Sequence, residues 1–129
     1  MKKIITAIAC SLCLLMPLFG HSLSAGKLTQ LSVINQPFEA KIALKNIGEL
    51  DESTIKVGLA DQASFDKIGT ERKFILTKLK FKTVIQGGSG YILITSHKPI
   101  QDSFLDFVID VKWPSGRMIK PYTALIQTQ

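Results

Sequence analysis

Ser96, His97 and Asp102 bring the residue types of a hydrolytic triad within seven positions of one another. A serine nucleophile needs its hydroxyl bonded to a base that a third group orients. Adjacent residues in extended chain fail that test, because their side chains leave opposite faces. No G-x-S-x-G turn surrounds Ser96, so nothing lifts it into the strained, exposed position an attacking hydroxyl requires. Asp106 and Asp110 are four apart on one strand face, about 13 Å at strand rise, which is too far for an acid–base pair. The glycines from Gly87 to Gly90 lead into Tyr91 and a strand. No helix N-terminus faces that loop, so it is read as a turn and not as a phosphate cradle. No catalytic residue is assigned and no cofactor is expected.

Metal and thiol chemistry is equally poorly supplied. His97 is the one histidine after His21, and both cysteines, Cys10 and Cys13, lie near the N-terminus. Beyond them there is no material for a disulfide framework, and a single imidazole makes a poor zinc site. Lys78, Lys80 and Lys82 recur at every second position, with Arg72 and Lys73 just upstream. That spacing lays ammonium groups along one strand face, where they form a candidate patch for an acidic ligand. The competing reading is a solvated edge whose lysines discourage pairing with another chain. Nucleic acid is not the expected ligand, since Phe81, the aromatic between these lysines, falls on the opposite face.

The elements that must position these residues begin with an export signal. Lys2 and Lys3 give a positive start, Ile4 to Phe19 an apolar core, and Ser22, Ser24 and Ala25 a small-residue flank, the three parts of a secretory leader. The apolar run of 16 residues is shorter than the roughly 20 a membrane-spanning helix takes. Cleavage is expected between Ala25 and Gly26, leaving one domain, residues 26–129, with no membrane span. The precursor has 16 basic and 10 acidic residues, and loss of Lys2 and Lys3 leaves a mildly basic domain.

Period-2 alternation then runs through the chain. Phe38, Ala40, Ile42 and Leu44 alternate with Glu39, Lys41 and Lys45, and Ile55, Val57 and Leu59 alternate with Lys56 and Gly58. Leu79, Phe81 and Ile85 oppose the lysines. Leu105, Phe107, Ile109, Val111 and Trp113 alternate with Asp106, Asp110 and Lys112. A slip of one residue there would turn five large apolar groups to water, so the register is firmly set. Tyr91 to Thr95 is β-rich on both faces, as in a central strand. Asp61 and Gly69 bracket one short helix over Gln62 to Ile68. Pro114-Ser115-Gly116 marks a hairpin, with Gly116 expected at positive φ as a bulge residue, and Pro121 marks an edge strand. The sum is an all-β fold, an immunoglobulin-like β-sandwich of about seven strands with one short helix; a small β-barrel is the alternative.

Several clusters resemble the N-terminal domain of the FimV/HubP (TspA-like) family of bacterial polar-organising proteins. They are Asn35-Gln36-Pro37 with Phe38-Glu39-Ala40; Thr95, Ser96 and Pro99; Phe104, Leu105 and Phe107; and Trp113, Pro114, Gly116, Arg117 and Tyr122. The resemblance implies a non-enzymatic module in a Gram-negative periplasm, in a family associated with cell poles, type IV pili and twitching motility. It also implies an envelope or periplasmic protein as partner. No LysM module follows the domain, so peptidoglycan binding is not expected. Lys112, Ser103 and Pro121 depart from the family pattern around the last hairpin.

Overall fold

In the computed structural model, residues 23–126 are described, and they form two antiparallel sheets packed face to face. The strands are β1 (Ser24–Gln30), β2 (Pro37–Lys45), β3 (Lys56–Leu59), β4 (Leu79–Gln86), β5 (Ser89–Pro99), β6 (Phe104–Trp113) and β7 (Gly116–Leu125). One sheet has the order β1-β2-β5-β4 and the other β3-β6-β7. Each sheet keeps two edge strands, so the fold is an immunoglobulin-like sandwich and not a closed barrel.

The alternation read from the sequence faces the two sheets toward each other. Phe38, Ala40, Ile42 and Leu44 of β2 meet Leu105, Phe107, Ile109 and Val111 of β6, all buried, with Ile92 and Ile94 of β5 beside them. Each of these side chains other than Ala40 contributes roughly 1.5–3 kcal/mol on burial. β5 lies between β2 and β4, the central position its two-faced pattern anticipates. Val108 was not legible in that pattern: it lies on the opposite face of β6 from Phe107, yet is fully buried. The segment Ala60–Ile68 accounts for it. The Ala60 N–H donates to the Val108 carbonyl at 2.9 Å, and the helix α1 (Gln62–Ile68) packs on β6.

Helix α1 occupies the expected residues. The Asp61 carboxylate accepts the Ser64 N–H at 2.9 Å, and the Gly69 N–H closes on the Phe65 carbonyl. A 3₁₀ turn, Phe74–Lys78, leads into β4, so Lys78 precedes the strand that holds Lys80 and Lys82. Gly87 and Gly88, with φ of 57° and 83°, make a tight two-residue turn between β4 and β5, as positive φ at both central positions requires.

The last hairpin corrects the expectation for Gly116. Trp113 pairs with Gly116 across a two-residue loop, and Gly116 is not among the glycines of positive φ. Its need is for space. A Cβ there would lie 2.7 Å from the Trp113 indole, so the ring packs against bare backbone.

Candidate functional site

The triad types found at Ser96, His97 and Asp102 are employed separately. Ser96 is buried; its hydroxyl accepts the Phe38 N–H at 2.8 Å and donates to the Lys98 carbonyl at 2.7 Å. His97 is exposed on the other face of β5, and the Asp102 carboxylate lies 3.9 Å from the Lys73 ammonium. A hydroxyl committed to two backbone groups in the core is a joint, not a nucleophile. The outer aspartates are likewise engaged. Asp106 accepts from the Thr123 hydroxyl. Asp110 takes both arms of the Arg117 guanidinium, at 3.0 and 2.8 Å, which holds the Arg117 pKa above its ordinary value. No group of three His, Cys, Asp or Glu side chains able to hold a metal occurs among the described residues.

The lysines fare differently. Lys80 and Lys82 stand on the outer face of β4, opposite Thr95 and Leu93 of β5. Lys78 lies at the end of the 3₁₀ turn with its ammonium 5.1 Å from the centre of the Phe74 ring. Between that turn and the end of β5 runs a groove of about 500 Å³, with Ile75, Pro99 and Ile100 along it and Lys78, Lys80 and Lys98 around it. His97 also borders it. None of these three lysines forms an ion pair among the described residues. Phe74, beneath the Lys78 ammonium, is three-quarters exposed. Sequence reasoning found Lys78 and Lys80 but missed the apolar lining, because residues 75 and 100 are brought together only by the β4–β5 pairing.

The residues singled out by the resemblance lie in two regions, the β2–β5 joint and the β6–β7 hairpin. In the first, Asn35 sits at φ 71° in the loop before β2, and the Gln36 side chain accepts the Val33 N–H. Pro37 is opposite Pro99 where the β2–β5 register shifts, and Ser96 bonds the freed Phe38 amide there. Thr95 is half-buried on the outer face, opposite Lys80. In the second, Tyr122 stacks on Phe107 with ring centres 6.2 Å apart and donates to the Gly26 carbonyl at 2.8 Å. Burial pushes its phenol up to about 12. Pro114 occupies the hairpin turn beside Trp113. Leu105 is core, whereas Phe104 is partly exposed, with the Lys73 ammonium over its ring.

The expected leader cut falls inside β1. Ser24 pairs with Lys45 and Ala25 with Leu44; Leu23 and Ala25 are 4% and 8% exposed, in the core. The Ala25 carbonyl accepts from Lys120. A cut between Ala25 and Gly26 would strip these contacts from the edge of the sheet. The leader itself lies outside the described residues. No helix among the described residues is long and apolar enough to cross a membrane.

Residues 23–129 match the model of the FimV N-terminal, immunoglobulin-like domain. The chain belongs to the FimV N-terminal domain family. Two relatives are 38% identical to it over 108 residues, the motility hub proteins FimV of Pseudomonas aeruginosa strains PAO1 and UCBPP-PA14. The alignment covers 83% of this chain and 12% of each relative. No solved structure matches the chain.

Proposed function

We propose that the chain is an exported, non-enzymatic interaction module of the periplasm that docks an envelope protein connected with motility. The observation that carries this is the groove beside Ser96. Its hydroxyl is tied into the core, while Lys78, Lys80, Lys98 and Pro99 around it are exposed and Ile75 is partly so. Pockets of this kind, apolar with a few placed polar groups, bind ligands. The curated relatives are motility hub proteins, which supports the same reading for the process served.

A photo-crosslinker placed at Thr77, on the groove, is expected to trap one envelope protein in intact cells. The same group at Lys112, on the opposite sheet, is expected to trap none. No adduct at Thr77, or equal adducts at both positions, would overturn the docking role. Hydrolysis of a broad ester and peptide panel that disappears in His97→Ala would overturn the non-enzymatic one.

A further inference from the structure

We infer that the outer face of the β1-β2-β5-β4 sheet lies against the anionic headgroups of a phospholipid leaflet. This surface is separate from the groove: Lys41, Lys45 and Lys82, on which it depends, do not line the groove.

The first observation is register. Lys41 of β2 and Lys82 of β4 are both paired with Leu93 of β5. The two lysines therefore flank Leu93 in one row across the sheet, about 9.6 Å apart at the usual strand spacing. The row beside it carries Glu39, Thr95 and Lys80, and the row on the other side Ala43, Tyr91 and Val84. Lys45 continues the same face of β2, two residues beyond Ala43. Lys45, Lys80 and Lys82 are exposed, and Lys41, Tyr91, Leu93 and Thr95 are partly so. Lysines thus stand on both sides of a half-exposed strip along β5. Glu39 is the single carboxylate at the outward positions of these three strands.

The second is the segregation of charge. None of Lys41, Lys45, Lys80 and Lys82 forms an ion pair among the described residues. The outer face of the other sheet is matched internally. Asp110 is bridged by Arg117 and Lys112 there, and Asp106 is bonded by Thr123. Unmatched positive charge collects on one face, and its field turns that face toward an anionic plane.

The third concerns what such a face can meet. Lysine is depleted from protein–protein interfaces, whereas clusters of roughly four to eight basic side chains are a means of holding anionic leaflets. These lysines spread in two dimensions, so a single phosphate reaches one or two of them and a plane of headgroups reaches all. The Lys41 ammonium lies 4.4 Å from the centre of the Tyr91 ring. An amphipathic ring beneath a long-stemmed cation suits the headgroup level, where tyrosine and snorkelling lysine collect.

The test is co-sedimentation of the processed chain with vesicles of equal parts phosphatidylglycerol and phosphatidylcholine at low salt. Binding is expected there, with none to phosphatidylcholine alone. Each lysine contributes about fivefold to affinity for an anionic surface, so Lys41→Gln/Lys82→Gln should weaken binding at least tenfold. Lys56→Gln/Lys112→Gln removes the same charge from the opposite sheet, where the two residues are paired, and should change binding less than twofold. A nitroxide-labelled lipid should broaden the amide signals of Lys82 and Leu93 and spare that of Lys112. Absence of binding to the mixed vesicles, equal binding to the neutral ones, or equal losses in the two double variants would overturn the inference. So would retention of the chain by heparin or an acidic peptide without retention by the vesicles. Circular dichroism checks that both variants keep the fold. Lys45→Gln, which leaves the Tyr91 contact untouched, should give a smaller loss in the same direction.

Discussion

The hydroxyl of Ser96 accepts the backbone N–H of Phe38 across 58 residues of chain, joining the start of β2 to the end of β5. The register between those strands shifts between Pro37 and Glu39, and the serine supplies the acceptor that the irregular ladder lacks. Ser96→Ala leaves the buried Phe38 amide unpaired, at a cost of about 1–3 kcal/mol. His97→Ala, on the exposed side, is expected to change stability by no more than about 0.5 kcal/mol. Urea unfolding of the two variants measures the difference. Equal losses would mean that Ser96 is not a joint.

Gly116 separates two readings of a hairpin glycine. If positive φ were required, alanine would be strained and asparagine tolerated. Because the requirement is space under the Trp113 indole, both substitutions should destabilise, by about 1–3 kcal/mol from overpacking. Trp113 fluorescence should shift red as the ring is displaced. A Gly116→Asn variant as stable as the parent would contradict this.

The phenol of Tyr122 carries a pH signature. Its folded value, about 12, lies above the ordinary 10.0 of a tyrosine because burial disfavours the phenolate. A group whose pKa is raised on folding contributes stability below its unfolded value and loses it as pH climbs through the folded one. Stability is therefore expected to fall between about pH 10 and 12. In Tyr122→Phe this dependence should shrink, and the lost bond to Gly26 should cost about 0.5–1.5 kcal/mol at neutral pH. Denaturant titrations across that range are the measurement.

The burial of Leu23 and Ala25 predicts where the leader ends. Cleavage after Ser22 puts small residues at the last and third-last positions, Ser22 and Gly20, which suits the A-x-A-like requirement. It also leaves β1 whole. N-terminal sequencing of the exported chain should begin at Leu23. A start at Gly26 would show that the sheet tolerates loss of its first pairs.

Much of this architecture was readable from local pattern. The β6 alternation from Leu105 to Val111, and the caps Asp61 and Gly69, each encode an element in neighbouring residues. The hidden features depend on distant ones. Val108 is buried by Ala60 and α1 against β6, and Gly116 is constrained by an indole. Leu23 resembles leader until β2 pairs with the residues from Ser24 onward. The groove was half visible. Its lysines lie at strand spacing, but Ile75 and Ile100 become neighbours only through folding.

The contact of Tyr122 with Gly26 spans 96 residues and fixes an order of events. A chain delivered from its N-terminus can pair β1 with β2 early, but it cannot latch β1 to β7 until residue 122 has emerged. Long-range closure of this kind slows folding. Until then the first strand hangs on one neighbour alone, which makes the newly delivered domain most vulnerable to proteases in the moments before its last strand arrives.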